Sequence, residues 1–379
     1  MMFLTSIVAR LPLATFSLGL LVHVEGRTGS YASAGLVAGA LAVAQGAGAP
    51  LLGRLVDRRG QTVALLGSAL VAGAALTGVA ALPAGTPLPV LILLAAVIGL
   101  ATPPIGACMR TLIPVLTQGA ERQRRAYAVD AAATELTWVS GPPLALAVGA
   151  FAGTGTALTA AGLVLIAATT LFALSPASRA WRPEPVTQAR RGSALASPAM
   201  RTLVFVLACV GVVFGATEVG VTAAAESAAG LLLGLWGVGS LAGGGIAARL
   251  GGGAAAGRGF TLLLGLLGLG HLILLGASAH LVTFAIGIAV AGTMIAPILA
   301  SSYAMVDDAA PAGTVTEAFA WLATATAIGT SVGAALGGAL VDAAGAPSAF
   351  VLAGVAGLAA AGVATTLERT VSHVVRAAS

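Results

Sequence analysis

Twelve stretches of about 20 predominantly apolar residues follow one another along this 379-residue chain, with short polar segments between them. At 1.5 Å of rise per residue, about 20 helical residues cross a hydrocarbon core ~30 Å thick. Lipid offers the backbone no hydrogen bonds, so an apolar stretch of that length must satisfy its own N–H and C=O groups as a helix. The spans fall at 3–24, 31–52, 62–82, 88–110, 126–150, 155–175, 202–224, 228–249, 259–278, 281–303, 315–341 and 347–367. Composition excludes the alternative of twelve buried helices in water. With 58% hydrophobic and only 8% charged residues, and a mean hydropathy of +1.01, a soluble domain of this size lacks the polar surface to cover itself. The expected fold class is an all-α membrane protein with 12 transmembrane helices.

The arginines orient the helices. No lysine occurs, and with both termini cytoplasmic 16 of the 18 arginines lie in inner loops and flanks, leaving Arg27 outside and Arg10 within span one. This is a strong positive-inside pattern. It accounts for the basic isoelectric point without a nucleic-acid partner, since no basic stripe is interleaved with aromatics. A Pro-, Arg- and Ser-rich stretch, 176–200, reads as a cytoplasmic linker between an N-terminal six-helix bundle (1–175) and a C-terminal one (201–379). Cys108 and Cys209 both fall inside apolar spans, without the clustered partners of a disulfide framework or a zinc site. Met1 to Val24 lacks the basic start of a secretory signal and carries Arg10 and Pro12, so it reads as an uncleaved first helix.

The two halves look like repeats. Ser33-Ala34-Gly35-Leu36 corresponds to Ala228-Ala229-Gly230-Leu231, and the same shift places Arg54 on Arg249; Gly99 and Pro104 correspond to Gly292 and Pro297. Matches in the same helix order favour duplication over chance. Prolines at corresponding depths, Pro104 in span four and Pro297 in span ten, either open a polar cavity between the halves or reflect the general frequency of proline in membrane helices.

Between spans two and three lies Gly53-Arg54-Leu55-Val56-Asp57-Arg58-Arg59-Gly60, which reads as a tight cytoplasmic hairpin. The positive-inside rule explains its arginines but not its aspartate or its glycine spacing. With twelve spans, a six-plus-six repeat and a central linker, this segment resembles the major facilitator superfamily, whose pattern here is Gly, any, Leu, any, Asp, Arg, any, Gly. Gly53, Leu55, Asp57, Arg58 and Gly60 match; the basic residues that follow in the family are replaced by Gln61 and Thr62, and the equivalent second-half segment has Gly252 in place of the aspartate. The resemblance implies two pseudo-symmetric six-helix bundles and a charge latch that stabilises the outward-open state. Asp57 would face the positive N-terminal end of span eleven, around Thr314 to Glu317. Ser140-Gly141-Pro142 in span five is similar to the Gly-Pro core of the drug/proton antiporter motif, although Pro143, Leu144 and Ala145 depart from the rest of that pattern. The arginine that this branch carries inside span four has no clear equivalent, because Arg110 lies at the cytoplasmic end.

Ionisable side chains at bilayer depth are costly and are functional candidates by default. Glu135, about 14 Å into span five, and Arg10 in span one lie at similar depths. Their pairing is either proton-coupled, with protonation of Glu135 freeing Arg10 or the substrate, or a static lock between two helices. Asp130 is expected to be a structural partner of Arg110 or of the inner loop. Glu218 in span seven is either a cation contact or second proton site, or a water-exposed carboxylate. Glu317 closes the capping box Thr314-Val315-Thr316-Glu317 and would also sit at the latch. Trp138, Tyr303 and Trp321 either line a pocket for a planar substrate or pack. His271 is either a satisfied packing histidine or a proton relay.

The function expected is a secondary active transporter working by alternating access, exporting a small amphiphilic compound or drug in exchange for protons. Rivals are uptake or facilitated diffusion of a metabolite such as a sugar, disfavoured by the dearth of polar side chains within the spans, and a non-transporting sensor or assembly partner. No nucleophile and base set, metal cluster or phosphate-binding loop points to an enzyme, and no cofactor is expected. The expected partners are a small-molecule substrate, protons and the lipid bilayer of the cell membrane, and the chain is expected to act as a monomer.

Overall fold

The computed structural model describes residues 2–182, 193–225, 228–249 and 258–378, with side chains described for all of these except 17, 31, 32, 138, 139, 142 and 366–378. Among the described residues there are helices and connecting turns and no strand. Eleven spans among the described residues are long and apolar enough to cross a membrane, and the expected fifth span contributes the shorter apolar stretch Pro143–Ala152. The chain is a multi-pass, all-α membrane protein.

The first compact unit comprises Met1–Leu116, Leu136–Gly192 and Ala312–Ala320. It contains α1 (Met2–Thr28), α2 (Tyr31–Arg59), α3 (Gln61–Ala81), α4 (Leu88–Leu100), α5 (Ile105–Leu116), the later part of α6 (Ala120–Ala152), α7 (Thr154–Ala173) and α8 (Pro176–Ala180), with the first residues of α14 (Val315–Ala344). Helix α3 packs along α7, α2 along α4, and α1 on both α7 and α2. Expected span four is two helices. Pro103 and Pro104 have no N–H to continue α4, and the chain restarts at Ile105.

The second unit comprises Thr117–Glu135, Ser193–Pro311 and Trp321–Ser379. It holds the start of α6, then α9 (Pro198–Ala225), α10 (Ala229–Arg249), α11 (Arg258–Ala277), α12 (Leu281–Gly292), α13 (Ile295–Ala309), most of α14 and α15 (Pro347–Ala378). Helix α15 packs on α11 and α9, and α10 on α12. Span ten is interrupted at Thr293 and Met294, and Pro297 sits in the first turn of α13, where a missing N–H costs least. Both interruptions therefore fall at the prolines that the repeat pairs with each other.

Gly53 to Gly60 makes the tight reversal expected of it, and most of the segment is helix. Helix α2 continues through Arg59 and α3 begins at Gln61, so the reversal rests on Gly60 alone, at φ +86° and ψ +167°. That backbone region is closed to residues with a Cβ and open to glycine.

Candidate functional site

The last two turns of α2 meet the beginning of α14. Asp57 is buried, and its carboxylate accepts two hydrogen bonds from backbone N–H groups of that helix, Thr316 N to Oδ1 at 3.0 Å and Glu317 N to Oδ2 at 2.8 Å. The first N–H groups of a helix have no intrahelical acceptor and carry the positive end of its dipole, so a carboxylate aimed at them satisfies both. Beside it the Arg54 guanidinium lies 2.9 Å from Glu317 Oε1; the Glu317 side chain is 2% exposed and that of Arg54 40%. The Glu317 N–H expected to serve a capping box thus donates to Asp57, while the Glu317 carboxylate takes the arginine. Leu55 is half-buried, and Arg58 is exposed to solvent.

Gly53 allows this approach. A Cβ at residue 53 would stand 2.9 Å from Glu317 Cα and 3.0 Å from both Glu317 N and Thr316 O, all backbone atoms of α14. Gly53→Ala is expected to push α14 away from α2 and lower thermal stability by about 1–3 kcal/mol, the usual cost of overpacking. Thermal unfolding in detergent measures it, and an unchanged midpoint would contradict the close fit.

Gln61, where the family pattern has a basic residue, is fully buried and hydrogen-bonded on both sides of its amide. Its Nε2 donates to Cys108 O at 3.1 Å and to Thr111 Oγ1 at 2.9 Å, while Oε1 accepts from the Ser178 hydroxyl at 2.9 Å. A neutral amide can donate to α5 and accept from α8 at once, which an arginine cannot. In the same unit Arg10 and Arg110 are both buried near Gly106, and Gly141 lies against α1, where a Cβ would come within 2.6 Å of Ala14 Cβ. Pro104 is half-buried. The side chains of Trp138 and Pro142 lie outside the described residues. A cleft of about 380 Å³ among α1, α6 and α7, lined by residues including Gly19, Val22, Leu146 and Thr154, contains none of the expected site residues.

In the second unit, Glu135 is half-buried on α6, with the Ser240 hydroxyl of α10 as a neighbour. Asp130 is 1% exposed, Tyr303 and Pro297 are buried, and Trp321 is half-buried. Glu218 is exposed on α9. Arg10 and Glu135 belong to different units, so their pairing remains a proposal.

A further acidic residue with partners on another helix carries no mark in the sequence. Asp307, near the end of α13, accepts from the Tyr127 hydroxyl at 2.9 Å and from Gln123 Nε2 at 2.6 Å, both on the first turns of α6. Nothing local marks it, because its donors lie some 180 residues earlier.

The family model described as "Major Facilitator Superfamily" matches residues 2–226 and 216–378. No protein of curated function matches the sequence. Among solved structures, a bacterial homologue of the iron transporter ferroportin in the outward-facing state is similar, with a TM-score of 0.73 at 17% identity over 96% of this chain and 98% of that one. The human organic anion transporter MFSD10 (TETRAN) gives 0.67 at 16% identity over 96% and 97%. The proton:xylose symporter XylE, bound to 6-bromo-6-deoxy-D-glucose, gives 0.70 at 14% identity over 95% and 94%. At these identities the likeness is one of fold.

Proposed function

Since this chain belongs to the Major Facilitator Superfamily, we propose that it is a secondary active transporter that works by alternating access and exports a small amphiphilic compound in exchange for protons. The observation that carries the reading is the clasp of Asp57 on the start of α14. It is a polar contact of few atoms at the end of apolar helices, strong while it is closed and cheap to replace by water when it opens. Residues 1–175 and 201–379 act as the two halves in this reading, 176–200 links them, and both termini face the cytoplasm of a cell whose plasma membrane holds the protein. Glu135 carries the proton, and Arg10 is its counter-charge. Trp321 and Tyr303 offer aromatic surface to a planar or amphiphilic cargo, and the helix breaks at Pro104 and Pro297 lie along its path. The scarcity of polar side chains in the spans favours such a cargo over a sugar, whose hydroxyls need partners. The Ser140-Gly141 segment supports placing the chain near the drug/proton antiporter branch.

Purified protein in liposomes with an imposed pH gradient tests this. Adding lipophilic cations or neutral drugs is expected to elicit proton flux with at least one compound. Substrate-driven flux of sugars with none from drugs would overturn the proposed cargo, and solute movement indifferent to the pH gradient would overturn the coupling.

A further inference from the structure

Among the described residues of the second unit, four buried side-chain polar atoms have no protein hydrogen-bond partner, Ser301 Oγ and the three of interest here: Trp236 Nε1, Ser240 Oγ and His271 Nε2. Trp236, Ser240 and His271 belong to one cluster. Trp236 and Ser240 stand one turn apart on the same face of α10, and the Trp236 and His271 rings meet edge to face with centroids 6.1 Å apart. Phe214 of α9 closes another side, edge-on to the indole at 5.5 Å. Ser240 in turn neighbours the Glu135 carboxyl group, without the geometry of a hydrogen bond.

The protonation of the histidine follows from its surroundings. Its Nδ1 lies 2.7 Å from Leu267 O, a carbonyl that can only accept, so Nδ1 carries the hydrogen. Nε2 of the neutral ring is then an acceptor. His271 packs against Trp236, as in the first of its two sequence readings, but only one of its nitrogens is bonded, within its own helix; the other is buried without a protein partner. The cluster offers a donor that cannot accept (the indole N–H), an acceptor that cannot donate (the imidazole Nε2) and a hydroxyl that does both. Buried polar groups nearly always find partners, and internal water typically makes about three such bonds.

We propose that Trp236, Ser240 and His271 form an internal water site beside Glu135, holding one or two water molecules that accept from the indole and donate to the imidazole. Water is the occupant that can accept from the indole, donate to the imidazole and do either with the hydroxyl. The site brings hydration to the neighbourhood of an intramembrane carboxyl from within its own unit. That consequence rests on Glu135 as the proton carrier proposed above; the water site itself does not.

Two measurements test it, and neither reads transport. The first is a thermal-stability cycle of Trp236→Phe, His271→Phe and the double variant in detergent. Water-linked groups are expected to couple. Each single change strands the partner's polar atom and lowers the melting temperature, and the second change restores part of that loss. A dry site predicts His271→Phe to be neutral or stabilising, because phenylalanine keeps the edge-to-face packing and removes an unsatisfied buried nitrogen, and that result overturns the proposal. The second measurement uses a variant in which Trp138, Trp181 and Trp321 are all changed to Phe, leaving Trp236 as the only tryptophan. Its emission is expected to lie to the red of a dry indole and to move blue on His271→Phe or Ser240→Ala. A blue emission that neither change shifts overturns the site while leaving the Glu135 assignment intact.

Discussion

Asp57→Asn is expected to lower the outward-open population relative to its alternatives by roughly a hundredfold. The carboxylate accepts from two N–H groups at once. An asparagine of the same shape presents one oxygen and one amide nitrogen, so one hydrogen bond is kept while the other becomes two donors facing each other. A charge-assisted bond contributes about 1.5–3 kcal/mol, and the interaction with the helix dipole adds ~0.3–1 kcal/mol that the neutral side chain forfeits. Since 1.4 kcal/mol is a factor of ten, the combined loss of about 3 kcal/mol gives the stated shift. Spin-label distances or cysteine accessibility on the two membrane faces read the population directly. Equal populations in Asp57→Asn and the parent protein would remove Asp57 from the switching mechanism, whatever its effect on stability.

Glu135→Gln is expected to abolish accumulation against a gradient while sparing exchange of substrate at equal pH. Glutamine has the size and hydrogen-bonding capacity of the protonated carboxyl but never releases a proton, so the step that ties substrate movement to proton movement disappears while the conformational cycle remains. An intramembrane carboxylate costs several kcal/mol unless hydrated or paired. Its titration is consequently worth enough to bias two states by two orders of magnitude, and pH-driven uptake into everted vesicles should fall by at least about a hundredfold. Unchanged coupling would make Glu135 a structural residue and direct attention to Asp130, the more deeply buried acid of the same helix.

These two residues illustrate what a sequence can disclose about such a chain. The membrane helices are legible because lipid requires continuous apolar helix, and that is a local property of about 20 residues. Asp57 and Glu135 stand out because a charge among apolar residues has a high cost and so invites explanation. The geometry of the Gly53 to Gly60 segment is legible in outline. Its glycines point to a sharp turn and a close helix approach, and the structure divides the two roles: Gly53, in the last two turns of α2, allows the approach of α14 and Gly60 alone makes the turn. Partners were the least legible of all. The match of Arg54 to Glu317, of Asp307 to Tyr127 and of Trp236 to His271 depends on helices brought together from distant parts of the chain, and neither propensity nor period encodes such contacts. Gln61 is instructive in the other direction: read as the loss of a basic residue, it proves to be a substitution with its own bonding logic.

The one-residue turn at Gly60 has a mechanical corollary. Asp57 and Gln61 stand four residues apart on either side of it, the first bonded to α14 and the second to α5 and α8. A longer connection would act as a spring and absorb displacement. This joint has no compliance, so the two anchors are coupled in series, and strain at one must reappear at the other as tilt of α3. Lengthening the joint by a few flexible residues would leave every bond possible and yet uncouple the anchors, as slack in a linkage idles the crank it drives.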